Sequence, residues 1–297
     1  MLIRAICWLT RRVKGGCACF KPRAPRPKNL AVIALLAAAA LNCDARGLDS
    51  AKRSTAQASA LNAPPQAPLE PDRARTRAPS PTRPRHFREA KRLLAAFYAT
   101  RTARTVYSGC PLQGGSLDWA HCCLAKERAH RGAIEWEHVV PAAAIGARLP
   151  EWRDGHERCQ KRGRPFRGRK CARRASTRFQ QVEGDMHNLF PELGDVNGAR
   201  GSEPMGTVTN PTPRHRELAG CGLTFGEHTV EPRPGVRGDV ARAYLYMNDV
   251  YPDLVVLTDE ARATYEQWHT SDPPDELEHA RNRMIHAEQG NENPWIR

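Results

Sequence analysis

The clearest pattern in the chain is "FREAKRLLAAFYA" (87–99), where apolar residues recur at helical spacing among strong helix formers, predicting an amphipathic helix. Two different patterns precede it. Residues 30–41, "LAVIALLAAAAL", form an unbroken apolar run behind a basic stretch. That is about the length of an export-signal core and too short to span a bilayer comfortably. Residues 44–85 carry almost no bulky apolar side chains and are rich in Ala, Pro, Ser and Arg. Such a segment buries too little surface to offset its chain entropy and is expected to be a disordered linker. The division expected is a signal region over 1–43, a linker over 44–85 and a folded domain over 86–297.

Within that domain "TVYSGCPL" predicts a short strand and turn, and "AIEWEHVVPA" (133–142) a buried strand. "MHNLF" (186–190) suits a second short strand, followed by a helix opening at Pro191 and Glu192. Residues 239–251 and 258–270 predict two more helices, with Pro211, Pro213, Pro232 and Pro234 marking loops between. Trp136 and Trp268 are expected in the core. The pattern is that of one α+β domain.

Charge changes the picture locally. The formal net charge of the chain is +14, but most of the excess belongs to residues 1–85. Inside the domain it collects between Arg148 and Arg178, with 12 basic and 3 acidic residues, while residues 179–297 are acidic on balance. A basic segment on an otherwise acidic domain is the footprint of a phosphate-backbone binder; the plainer reading is a solvated basic loop. Of the 10 cysteines, six lie in the domain. An even number in an exported chain predicts disulfides. Cys159–Cys171 is the expected pair, stapling the base of the basic segment. Cys43 would suit lipid attachment, but Asn42 stands where a small residue is expected, so export without a membrane anchor is favoured.

The chemistry concentrates in "IEWEHVVPA" (134–142), which brings Glu135, Glu137 and His138 to the end of a buried strand. Buried carboxylates need a partner or a metal. Hydrolysis of a phosphodiester calls for a base, a divalent cation and a cationic donor to the phosphate. His138 can be the base, and Glu137 offers a hard oxygen to Mg²⁺, which keeps several waters and so needs few protein ligands. Asn188 and Asn197 are candidates for the second ligand; Asn197 is favoured because it falls on the helix. Strand, long connection, strand and helix make the ββα-metal, or His-Me finger, arrangement.

"EWEHVVPA", "GRKCA" (168–172), "DMHNLFPELGDVNGARG" (185–201), "ARAYLYMNDVY" (241–251) and "QGNENPWI" (289–296) together resemble the bacterial endonuclease I family, in the family's order. The resemblance implies a periplasmic or secreted Mg²⁺-dependent enzyme, with Mn²⁺ or Ca²⁺ as possible substitutes. It implies cutting of DNA, and of RNA as well, with little sequence preference, as a monomer, leaving 5′-phosphates. It assigns His138 as general base, Glu137 and Asn197 as metal ligands, Arg169 as the phosphate contact and Glu135 as a supporting carboxylate. The chain departs from the family at Ser108, where a cysteine is expected, and in the length of its basic segment. Two rivals remain. One is an exported protein that holds DNA without cutting it, which would not need Glu137 or His138. The other is a phosphoesterase for small nucleotides, which would need a closed pocket.

Overall fold

The computed structural model describes residues 78–131 and 133–297; the expected signal region and most of the expected linker lie outside these. In chain order the elements are α1 (Phe87–Ala99), β1 (Ala103–Arg104), β2 (Pro111–Gln113), β3 (Ser116–Leu117), β4 (Ile134–His138), α2 (Ala142–Gly146) and α3 (Pro150–Arg153). Then follow β5 (Gln160–Lys161), β6 (Arg164–Pro165), α4 (Arg169–Ala175), α5 (Thr177–Glu183), β7 (Leu189–Leu193) and α6 (Gly194–Arg200). The remainder is β8 (Leu223–Phe225), β9 (Val230–Pro232), α7 (Arg237–Val250), α8 (Asp259–Ser271) and α9 (Glu276–Gln289). The domain is α+β, with small antiparallel sheets among helices.

Helix α1 buries Ala90, Leu94, Phe97 and Tyr98, one stripe at the spacing read from sequence. Helices α7 and α8 also form where expected. Helix α8 starts under an N-cap, the Thr258 hydroxyl accepting from Ala261 N at 3.2 Å. Helix α9 was not expected, although it carries both end signals: a capping box between Asp275 and Glu278, and Gly290 in the left-handed region at φ 84°.

Strands β4 and β7 pair antiparallel, in the register Glu135 with Glu192, Glu137 with Phe190 and His138 with Leu189. Three expectations are corrected here. Pro191 and Glu192 lie in strand β7, and the helix opens only at Gly194. Burial overrides their helix-start character: Glu192 is fully buried and accepts from the backbone of Tyr107 at 2.5 Å and of Ser108 at 3.2 Å. Met186–Asn188 form a 3-10 turn ahead of the strand rather than part of it, and Asp185 caps that turn by accepting from His187 N at 3.0 Å. "TVYS" is the turn between β1 and β2. The long connection between β4 and β7 is itself structured. Cys159 and Cys171 are bonded as expected, and Cys110–Cys122 and Cys123–Cys221 use the remaining domain cysteines.

Residues 78–85, assigned to the linker by composition, run along the end of α9. Arg83 N donates to Gln289 O at 2.9 Å, Arg85 Nε to Glu288 O at 2.9 Å, and Ala78 is buried. Polar side chains donating to backbone carbonyls substitute here for the apolar side chains the segment lacks. Among the described residues no helix is long and apolar enough to cross a membrane.

Candidate active site

Strand alternation sends Glu135 and Glu137 to one side of β4 and His138 to the other, and each side meets a different partner. Helix α6 follows β7 without a break and lies over the carboxylate side. Asn197 donates through Nδ2 to Glu135 Oε2 at 2.9 Å. One helical turn on, Arg200 Nη1 sits 2.9 Å from Glu137 Oε1. Residues two apart on the strand thus meet residues three apart on the helix. Close approach requires Gly194, where a Cβ would lie 2.9 Å from the Arg131 Cβ and 3.2 Å from the Ala133 carbonyl oxygen.

Glu137 is buried, and Tyr107 donates its hydroxyl to the same Oε1 at 3.1 Å. Burial raises its pKa, with Arg200 opposing. Arg200 is itself fully buried and also donates to the carbonyls of His138 (3.0 Å) and Val139 (2.6 Å). Its pKa is raised above the ordinary value despite burial, Glu137 being the chief cause. Neither Arg200 nor Tyr107 was singled out from sequence; the only signal for Arg200 was its place in "DVNGARG".

On the opposite side, His138 Nε2 lies 2.9 Å from the carbonyl oxygen of Glu183. A carbonyl only accepts, so Nε2 carries the proton and Nδ1 the lone pair. The imidazole packs against the Phe87 ring at 5.0 Å. Burial, helped by Arg169 and Arg173, lowers its pKa to about 3, so it is neutral in neutral solution. The Glu183 carboxylate accepts from Arg169 Nε at 2.5 Å and Arg173 Nε at 2.6 Å. Arg169, 39% exposed, therefore stands beside the His138 side of the strand with its terminal nitrogens outside this contact. Glu183 was also missed from sequence, because its contribution to His138 is a backbone carbonyl that no side-chain motif reports.

The segment supplying that carbonyl is fixed from below. Asp185 accepts from Tyr246 and Tyr251 hydroxyls at 2.9 and 2.8 Å and from Gln289 at 3.0 Å. Gly184 packs so closely under the 78–85 segment that a Cβ would lie 1.9 Å from the Arg85 carbonyl oxygen. Asn188 is wholly committed to bracing, exchanging hydrogen bonds with the backbone of Val140 at 2.7 and 3.0 Å. Of the two Asn candidates, this leaves Asn197.

The structure therefore gathers Glu135, Glu137 and Asn197 along one strand–helix face, and His138 and Arg169 on the other side of the strand. It does not put Asn197 in contact with Glu137. Trp136 is half-buried beside Tyr98, whereas Trp268 is in the core. Among the described residues no three His, Cys, Asp or Glu side chains gather as a metal cluster. The donor chemistry nevertheless suits a hard divalent cation. The Arg200 and Tyr107 contacts both fall on Oε1 of Glu137, and Asn197 commits its amide nitrogen to Glu135. The second oxygen of Glu137 and the amide oxygen of Asn197 take no part in those contacts.

Comparison with known proteins identifies the family. The Endonuclease I family profile matches residues 96–297. A periplasmic deoxyribonuclease of Aeromonas hydrophila is 39% identical over 218 residues, spanning 71% of this chain and 84% of the relative. An extracellular deoxyribonuclease of the same organism is 40% identical over 218 residues, spanning 71% and 87%. Endonuclease-1 of Buchnera aphidicola subsp. Acyrthosiphon pisum is 34% identical over 172 residues, spanning 58% and 61%. With a profile covering most of the chain and relatives at this identity, the chain belongs to the endonuclease I family.

Proposed function

We propose that this protein is a periplasmic or secreted endonuclease that hydrolyses phosphodiester bonds in DNA with the help of a divalent cation, Mg²⁺ first among them. Its family membership carries the nuclease activity. The observation that carries the residue-level reading is the position of His138, whose Nδ1 lone pair is set by the Glu183 carbonyl on the far side of the ring.

In this reading β4, β7 and α6 are the ββα-metal core, and their strand–strand–helix order supports it. Glu137 and Asn197 hold the cation. When bound, it supplies positive charge to the phosphate and the departing 3′ oxygen. His138 takes the proton from water at Nδ1 as that water attacks phosphorus, which leaves the 5′-phosphate on the product. An incoming phosphate partly cancels the field of Arg169 and Arg173, raising the basicity of the imidazole as substrate arrives. Arg169 offers its free terminal nitrogens to the non-bridging oxygens. Glu135 acts through Asn197, holding its amide so that the oxygen remains available to the metal. Contacts to phosphates carry no sequence information, which accounts for low sequence preference.

The test is cleavage of supercoiled plasmid by the purified, oxidised protein, with Mg²⁺ or with EDTA, beside His138→Ala. Nicking that requires both the metal and His138 is expected, with DNA binding retained in the variant. Binding without cutting under all conditions would transfer the argument to a DNA-holding protein. RNA and single-stranded DNA belong in the same assay as further substrates.

A further inference from the structure

The connection between β4 and β7 carries a feature the catalytic reading leaves unused. Strands β5 and β6 form a two-stranded hairpin in the register Gln160 with Pro165 and Lys161 with Arg164. Its turn is Arg162–Gly163, with φ of 54° and 73°. A two-residue turn with both residues at positive φ prefers Asn-Gly or Asp-Gly, and a long side chain at its first position is unfavourable. This chain places an arginine there. Around Gly163 the space is open: an added Cβ would meet nothing within 4 Å.

Arg158, Lys161, Arg162, Arg164 and Arg167 are all exposed. Among the described residues none of the five is ion-paired, although Arg169, Arg173 and Arg178 nearby all hold carboxylates. Unpaired like charges on one small hairpin repel one another, so the arrangement favours a polyanion as its partner. The base of the hairpin is rigid and tied to the site. Cys159, fully buried, is bonded to Cys171 in the first turns of α4, the helix that opens with Arg169. Arg169 is held by Glu183, and Glu183 holds His138.

We infer that this hairpin is a duplex-gripping finger, seated in the major groove of B-form DNA with Arg162 at its tip. Two residue pairs at about 3.4 Å each give a ribbon roughly 7 Å long before the turn. The major groove is about 12 Å wide and 8.5 Å deep and admits a two-stranded ribbon. The major groove of A-form RNA is deep and too narrow for side chains to enter, and a single strand offers no groove. The finger therefore selects double-stranded DNA and indexes it against the cleavage site through the disulfide. This rests on the nuclease reading only for its consequence in catalysis, not for the binding itself.

The test uses the full oxidised chain in EDTA, so binding is read without cutting. Its probes are a DNA duplex of two helical turns, one strand of that duplex, and an RNA duplex of the same length. The variants are Arg162→Asn, which suits the left-handed turn and so preserves the hairpin, and the triple variant Lys161→Ala/Arg162→Asn/Arg164→Ala. The triple variant is expected to lose about tenfold or more on the DNA duplex. The slope of log K against log salt should flatten by about 0.9 for each phosphate contact removed. Losses on the single strand and the RNA duplex should stay within about twofold. Equal losses on all three probes, or none on the DNA duplex, would overturn the proposal. If duplex-selective binding holds but the wild-type protein cuts nothing with Mg²⁺, the finger stands and the nuclease reading falls. If cutting is normal and the losses are uniform, the reverse holds.

Discussion

Glu183 acts on His138 from two directions. Its carbonyl oxygen accepts a hydrogen bond from Nε2 at 2.9 Å, and its carboxylate carries Arg169 and Arg173, whose charges add to burial in holding the imidazole pKa down. One residue thus sets both the tautomer of the proposed base and the position of the proposed phosphate contact. Glu183→Gln keeps the carbonyl but presents an amide NH₂ to one of the arginines. Each charge-assisted bond contributes about 1.5–3 kcal/mol, so both stability and turnover should fall. The specific expectation is a rise in KM together with a lower kcat, and recovery of much of both by Glu183→Asp. A wild-type kinetic profile in the Gln variant would show that the two ion pairs are idle in catalysis.

Asn197 and Glu135 make the metal assignment testable. If the Asn197 oxygen is a ligand, Asn197→Ala should raise the Mg²⁺ concentration needed for half-maximal plasmid cleavage. Glu135→Gln removes the charge that orients the Asn197 amide and also pairs with Arg131 at 3.2 Å, and losses of about 10–100-fold in metal affinity are typical of such supporting partners. Asn197→Ala should therefore cost at least as much as Glu135→Gln, and Asn197→Asp should restore part of the affinity. A Mg²⁺ titration of the three variants decides this. An unchanged requirement in Asn197→Ala would remove it from the ligand set.

The sequence was legible where one residue type meets a local physical demand. The amphipathic stripe of 87–99 became α1, and Cys159 found Cys171 across the hairpin. The strand carrying Glu135, Glu137 and His138 forms, and the structure turns Glu135 and Glu137 toward Asn197 and Arg200 while His138 meets the Glu183 carbonyl. What was not legible depends on contacts far apart in the chain. Pro191 and Glu192 look like a helix start until Glu192 is seen buried against the backbone of 107–108. Residues 78–85 look like linker because they are held by polar side chains, Thr82, Arg83 and Arg85 donating to the carbonyls of 287–290, rather than by an apolar stripe. Arg200, Tyr107 and the Glu183 carbonyl share this character: each matters because of the group it faces, and nothing local announces that group.

Arg200 and Glu137 form a pair buried on both sides, 2.9 Å apart. Removing one member of such a pair leaves the other uncompensated and costs about 3–5 kcal/mol. Arg200→Met should therefore lower the melting temperature by roughly 10 °C for a domain of this size. The double variant Arg200→Met/Glu137→Leu should lose less than the sum of the single changes, with a coupling of about 1–3 kcal/mol. Thermal unfolding of the four proteins measures it; strict additivity would mean the two side chains do not stabilise one another.

Acid stability offers the last prediction. His187 is buried against the Tyr246 ring, its Nδ1 is without a hydrogen-bond partner, and burial, with Arg281 adding, lowers its pKa from 6.5 to about 3. The folded protein thus keeps this histidine neutral, while the unfolded chain takes up a proton below its ordinary value. Its contribution to stability is complete above about pH 6.5 and is lost as the pH falls toward 3, at about 1.4 kcal/mol per pH unit. Glu192 acts in the opposite sense: burial raises its pKa to about 7, so its contribution is present in acid and declines as the pH rises from its ordinary 4.5 through 7. The total profile mixes these with other buried groups, His138 and Glu137 among them, and a variant isolates His187. His187→Gln removes one titrating group and leaves Glu192 untouched. Between pH 6 and 4 its unfolding free energy should fall less steeply than that of the wild type, by about one proton's worth of slope. Urea unfolding at a series of pH values gives that difference directly, and identical slopes would mean that His187 is already protonated in the folded state.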